Sequence, residues 1–280
     1  MKKLVSAVLI FAMLLCLCAC GDSKPKTKTD SSSSQKVSSD EDITVSDYTP
    51  SDTESEIGAS AKSVTRYFIY GPGKKLKFTY DVDYSVEGTI TINIFDKNNY
   101  KTGSRVYDYD ENGLIAYAAV KNKDGEETAY TTYEYNNLLK VDSEYYFEDG
   151  ALRSTTRYTY DENGLIKTKT VEKVGDSDVY KWDYARDGGA LYAIYISTDK
   201  AQNVEGYTFA NNTDGKLYQK YHMVNGFTAD YYMYDYDGDG RMNYRGYYDS
   251  SNSLVEYYSF KYGAAPELAA KAFANTGILD

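Results

Sequence analysis

The sequence predicts an all-β protein, one antiparallel meander of about sixteen strands, and three observations predict it. Tyrosine dominates the aromatic residues, 33 Tyr against 9 Phe and 1 Trp, and all but Tyr48 fall between Tyr67 and Tyr262. Only 4 prolines occur in the 280 residues. A Tyr-rich, proline-poor segment suits the pleated, half-buried surface of strands. Turn residues recur with a period near 25, the mark of a repeat architecture.

The first element is an address. Lys2 and Lys3 precede Leu4 to Leu17, an apolar run of 14 residues. That run is too short to span a bilayer as an ordinary helix and reads as a secretory signal. It ends in Leu17-Cys18-Ala19-Cys20 followed by Gly21, which resembles a bacterial lipobox. The resemblance implies removal of residues 1–19, diacylation of Cys20 on its sulfur, and tethering to the extracytoplasmic face of a cell membrane in a Gram-positive envelope. An ordinary signal peptide with a chance cysteine is the alternative. Cys16 and Cys18 leave with the signal, so no thiol remains for a disulfide or a cysteine-ligated metal.

The second element is a spacer over residues 20–62. From Gly21 to Lys62, 30 of 42 residues are Ser, Thr, Asp, Glu or Lys, with a run of serine from Ser31 to Ser34. Such a segment buries too little apolar surface to offset its ordering entropy and is expected to be disordered, with a reach of roughly 35 Å. The net charge of −11 becomes −13 once Lys2 and Lys3 are lost. That balance excludes a nucleic-acid partner and predicts a body that stands off an anionic bilayer.

The repeat body occupies residues 63–262. Tyr107-Asp-Tyr-Asp-Glu-Asn-Gly113-Leu-Ile115, Tyr158-Thr-Tyr-Asp-Glu-Asn-Gly164-Leu-Ile166 and Tyr234-Asp-Tyr-Asp-Gly-Asp-Gly240-Arg-Met242 share the pattern Tyr-x-Tyr-Asp-x-x-Gly-x-apolar. One turn position per unit gives Gly88, Gly113, Leu138, Gly164, Gly188, Gly215 and Gly240, and a second series gives Asn99, Gly125, Gly150, Gly175, Lys200, Gly226 and Asn252. Each repeat therefore holds two strands and two turns. The spacing leaves about eight residues per strand, too few for a crossover helix, so successive strands must be antiparallel.

Alternation assigns the faces. An apolar residue follows many turns, at Ile90, Ile115, Leu152, Ile166, Leu191, Leu217, Met242 and Leu254. One strand face then reads Leu152, Ser154, Thr156, Tyr158 and Tyr160, and the opposite face Arg153, Thr155, Arg157 and Thr159. The first is aliphatic and tyrosine, the second charged and polar. A flat sheet this wide would bare one apolar face, so it is expected to twist or roll until that face covers itself. A four-bladed propeller fits the same arithmetic and ranks second, because the turns look alike where blades need distinct connections.

Residues 263–280 form the tail. Pro266, Glu267 to Ala274 and Gly277 predict a short helix that carries Leu268 and Phe273 over the last strand's edge or the open end of the roll.

The repeat, with Gly150-Ala-Leu152 upstream of Tyr158, resembles the YD or RHS repeats of bacterial cell-surface and toxin-shell proteins. The resemblance runs over roughly residues 75 to 262. It implies a spiralling antiparallel sheet and a role in carbohydrate binding or cargo enclosure. The array is too short for a shell, so the surface-binding implication is the one that carries over.

Three groups of residues carry candidate chemistry. Asp235, Asp237 and Asp239 before Gly240 have the spacing of half a calcium loop, but Gly246 stands where the bidentate acid belongs. They are either a structural turn or a weak calcium site. Tyrosines present a flat apolar face with a polar rim to sugar rings; most must be core, and one ring each of Tyr231/Tyr232, Tyr247/Tyr248 and Tyr257/Tyr258 falls on the outer face as a ligand candidate. His222, the only histidine, lies in a strand beside no nucleophile pattern, and no G-x-S-x-G, H-E-x-x-H or phosphate-cradling loop occurs.

The reading is a lipid-anchored surface protein with a non-catalytic binding module for cell-wall or extracellular polysaccharide, with no resident cofactor unless calcium occupies the Asp-rich turn. A structural or protein-interaction scaffold that meets a surface protein is the alternative, and a carbohydrate-active hydrolase the third reading.

Overall fold

The computed structural model describes residues 60–173, 175–187, 190–198 and 205–279. Cys20, the signal and the spacer to residue 59 lie outside them, as do the turn positions Gly188 and Lys200. Sixteen strands follow in chain order: β1 Ser60–Gly71, β2 Lys75–Asp83, β3 Thr89–Asp96, β4 Lys101–Tyr109, β5 Ile115–Asn122, β6 Glu127–Tyr135, β7 Val141–Glu148 and β8 Ala151–Tyr160. The second half holds β9 Ile166–Lys173, β10 Asp176–Asp187, β11 Ala190–Thr198, β12 Glu205–Asn211, β13 Leu217–Val224, β14 Phe227–Tyr236, β15 Met242–Asp249 and β16 Leu254–Pro266. One helix, α1, spans Glu267–Ala274.

Each strand pairs antiparallel with its neighbours in sequence, and β1 pairs with β16 from Ser60↔Pro266 to Tyr70↔Tyr257. The sheet is therefore a closed barrel. The propeller alternative is overturned, because the ladder is continuous and never divides into blades. Closure also removes the edges that an open meander would leave for aggregation, so α1 has no strand edge to cover.

The turns explain the period. In the hairpin after β4, Asp110 accepts backbone N–H bonds from Asn112 and Leu114 on Oδ1, and Gly113 at φ 74° donates back to the Asp110 carbonyl at 2.9 Å. The same Asx turn recurs at Asn136, Asp161, Asn212 and Asp237 along one rim, and at Asp96, Asn122 and Asp249 along the other. Asp149-Gly150 and Asn225-Gly226, each with two positive φ angles, instead make two-residue hairpins whose mirror-image turns match strand twist. One turn position is corrected: the left-handed residue between β6 and β7 is Leu139, at φ 57°, and not Leu138.

The Tyr-x-Tyr-Asp unit has a division of labour. Its first aromatic, as at Tyr107, Tyr234 or Phe260, is buried on the barrel's inner face. Its second donates a hydroxyl hydrogen bond to a backbone carbonyl about twenty residues back: Tyr84 to Val64, Tyr135 to Ile115, Tyr184 to Ile166, Tyr236 to Leu217 and Tyr262 to Met242, all at 2.7–2.8 Å, with Tyr160 to Val141 alike. At these strand ends the ladder register shifts; Tyr109 pairs with Ile115 while Asp108 pairs with Tyr117. A bulge of this kind disrupts the ladder locally, and the tyrosine satisfies the carbonyl there.

A bulge also corrects one face assignment. The register shifts between Tyr146 and Phe147, so Ser154 pairs with Tyr146 while Leu152 pairs with Phe147. Leu152 thus lies on the outer face with Thr155 and Arg157, 47% exposed.

The densest core lies where β1 to β5 and β16 meet α1: Val64, Tyr67, Tyr80, Ile90, Ile92, Tyr107, Ile115, Phe260 and Phe273. Phe273 meets the Tyr84 ring edge-on at 6.3 Å. The tail is tied down by Asn275 Nδ2 donating to the Gly113 carbonyl at 2.7 Å and by Arg245 Nη1 donating to the Ile278 carbonyl at 3.1 Å.

Candidate binding surface

Register decides which tyrosines face out. Tyr258 and Phe260 share the core face, so their neighbours in sequence, Tyr257 and Ser259, point the other way. From there a row of rings crosses five strands. Tyr221 on β13 lies 5.5 Å from Tyr231 on β14, and Tyr231 stacks on Tyr248 of β15 at 4.9 Å and 5°. The Tyr248 hydroxyl meets that of Tyr244 at 3.2 Å. Tyr244 leads to Tyr257 on β16 at 5.5 Å, which stacks on Tyr70 of β1 at 4.7 Å and 10°.

Gly246 makes the row continuous. It sits between Tyr244 and Tyr248, opposite Tyr257, and a Cβ there would lie 2.3 Å from Tyr244 Oη and 2.9 Å from Tyr248 Cε2. The two rings lean into the space that the missing side chain leaves.

Tyr231 lies between the rings of Tyr221 and Tyr248, and Tyr257 between those of Tyr244 and Tyr70, while Tyr244 and Tyr248 join the two halves through their hydroxyls. Burial pushes the Tyr231, Tyr244 and Tyr257 hydroxyls up from their ordinary value, with neighbouring phenols adding to it. At neutral pH they are un-ionised donors. The row spans four strand spacings, about 19 Å.

Of the ligand candidates, Tyr231, Tyr248 and Tyr257 belong to this row. Tyr232, Tyr247 and Tyr258 lie on the inner face, where Tyr232 and Tyr247 are 5.1 Å apart and the Arg245 guanidinium lies 4.3 Å from the Tyr258 ring. Tyr70, Tyr221 and Tyr244 join the row without having been predicted. Alternation could have found Tyr244, two residues from Gly246, but Tyr70 enters only through barrel closure.

The Asp-rich turn holds an internal cation. Asp237 Oδ2 takes Arg241 Nη2 at 2.7 Å and Nε at 2.8 Å, and Asp239 Oδ2 takes the same Nη2 at 2.6 Å. Asp237 Oδ1 accepts the backbone N–H groups of Asp239 and Arg241. The Arg241 bond is the first cause holding the Asp237 carboxyl below its ordinary range. Asp235 accepts the N–H of Tyr236 and lies outside this cluster. A calcium ion would have to displace the Arg241 guanidinium. Among the described residues no group of three His, Cys, Asp or Glu side chains is arranged to hold a metal ion.

His222 is also on the inner face, with Nδ1 3.1 Å from Asp230 Oδ2 and Nε2 3.9 Å from Glu205 Oε2. Its ring stacks on Tyr207 at 5.3 Å. The two carboxylates flank opposite ring nitrogens and do not converge on one point. Glu144, which the sequence did not single out, accepts a bond from the Tyr158 hydroxyl at 3.1 Å. Burial raises its carboxyl, against the lowering pull of Lys169 and Tyr158.

No protein-family model and no curated protein sequence matches the chain. Among solved structures it is similar to a porin-like protein from Bacteroides uniformis, with TM-score 0.42, 8% identity, and coverage of 71% of this chain and 96% of that one. A porin-like protein from Bacteroides vulgatus aligns with TM-score 0.33 and 12% identity over 71% of this chain and 98% of that one. The TcdB2-TccC3 toxin structure aligns with TM-score 0.24 and 15% identity over 65% of this chain, which spans only 13% of the toxin chain. The barrel assignment rests on this chain's own strand ladder.

The outer face carries ion pairs between neighbouring strands. Arg66 Nη2 bonds Asp81 Oδ2 at 2.9 Å between β1 and β2, and Arg157 pairs with Glu172 between β8 and β9, both on that face. A barrel that crosses a bilayer turns an apolar band about 25 Å tall outward, and buried charges there are costly. No helix among the described residues is long and apolar enough to cross a membrane.

Proposed function

We propose that the chain is an envelope lipoprotein, anchored through Cys20, whose barrel is a non-catalytic binding module for an extracytoplasmic polysaccharide. The outer tyrosine row carries the reading. Apolar ring edges alternating with hydroxyl donors suit a chain of sugars, which pairs C–H faces with hydroxyl groups. The ligand lies along the row and not on a single ring face, because aromatic neighbours flank both Tyr231 and Tyr257.

Binding of the compact unit 54–280 to purified cell wall and a polysaccharide panel tests this. Saturable binding that falls about tenfold in Tyr231→Ala, a loss of about 1.4 kcal/mol, and equally in Gly246→Val, is expected. Tyr232→Ala, on the inner face, should bind like the parent. Chelation should change nothing, since Arg241 already neutralises Asp237 and Asp239. Absence of binding to every glycan would overturn the reading in favour of a protein-interaction scaffold.

A further inference from the structure

The hairpin between β6 and β7 departs from its sisters on the same rim. Gly113, Gly164, Gly215 and Gly240 occupy their left-handed positions, but here Leu139 does, at φ 57°. A leucine is strained there by its Cβ. Leu138 and Leu139 are also 71% and 55% exposed at the hairpin tip. Two further aliphatic side chains stand on this sector of the rim: Val86, 60% exposed, in the β2–β3 connection, and Leu268, 37% exposed, in α1. The β4–β5 turn lies between those connections in strand order, and α1 rests on it through Asn275 and Leu268. Single exposed leucines are ordinary. Two side by side at one tip, one kept in a strained conformation, with Val86 and Leu268 exposed on the same rim, call for an occupant.

The path of the chain identifies the occupant. β1 begins on this rim, with Ser60 paired to Pro266 immediately before α1, and 39 residues lie between Cys20 and Ser60. We propose that this sector docks on the bilayer surface, the Leu138-Leu139 tip entering the boundary between headgroups and acyl chains, with Val86 and Leu268 facing it from the same rim. The proposal rests on the anchoring of Cys20. A tether makes docking an intramolecular step at an effective concentration on the order of millimolar, so a few aliphatic side chains suffice. The net charge of −11 opposes approach to anionic lipid, so docking is strongest on zwitterionic bilayers.

The test uses the full lipoprotein with Leu138→Cys, labelled with an environment-sensitive fluorophore and reconstituted in phosphatidylcholine vesicles. An acylated Cys20 cannot take the label, and its mass reports the anchor independently. Emission should shift to the blue, with quenching by nitroxide-bearing lipid about threefold stronger than for a label at Asp214→Cys, across the same rim. Adding Leu139→Gly should lower the quenching while raising the thermal midpoint, which separates docking from misfolding. An acylated protein whose label at 138 is no more quenched than at 214 overturns the docking and leaves the anchor standing. A label that turns apolar only when a protein fraction is added also overturns it, in favour of a protein partner. An unmodified Cys20 overturns the anchoring and the docking with it.

Discussion

The second tyrosine of the Tyr-x-Tyr unit, as at Tyr135, Tyr160 and Tyr236, shows how one side chain can fix a repeat. Its ring lies on the inner face and its hydroxyl reaches a bulge carbonyl on the preceding strand. Tyr236→Phe keeps the ring and removes the donor, leaving the Leu217 carbonyl without it. Urea denaturation should show a loss of about 1 to 2 kcal/mol, the cost of an unmade buried hydrogen bond. His222 gives a pH signature at the same scale. Its bond to Asp230 is the first cause raising its pKa, Asp230 and Glu205 charges add, and burial and Lys220 oppose. The folded value therefore lies above the unfolded value near 6.5. Stability from this contact is complete below that value and is lost as pH rises through the folded pKa. The urea midpoint should fall as pH rises from the unfolded value through the higher folded one, and His222→Gln should flatten that slope.

Among elements, the hairpins were legible and the bulges were not. Turn residues act through their own backbone, so Asp110, Gly113 and their counterparts announce themselves in the sequence. Leu139 escaped by one position because no glycine marks it, and Leu152 changed face because a single extra residue in β8 inverts the alternation. The tail helix was placed by Pro266 and Glu267 to Ala274, and the structure starts it at Glu267 with Pro266 as its cap. Its role came from packing. Phe273 is 1% exposed against the core of β1 to β5. Phe273→Ala should cost about 3 to 5 kcal/mol in urea denaturation, since the surrounding strands cannot collapse into the space. A loss below 1 kcal/mol would mean that α1 is only loosely seated.

For the whole molecule, the decisive event is the pairing of β1 with β16. It brings Tyr70 against Tyr257 across the seam and so completes the outer row from opposite ends of the repeat array. It sets the tail beside β1, where Arg245, 4% exposed, bonds the Ile278 carbonyl. It places α1, with Leu268, beside the start of β1, on the rim that also carries Val86, Leu138 and Leu139. The sequence by itself determined the period, the strand count, the antiparallel order and the turn conformations, because each depends on interactions within one hairpin. Only the tertiary structure decided that the sheet closes and which tyrosines face out. Those outcomes depend on bulges that reset register and on contacts between residues far apart in the chain, and alternation along a single strand carries no information about either.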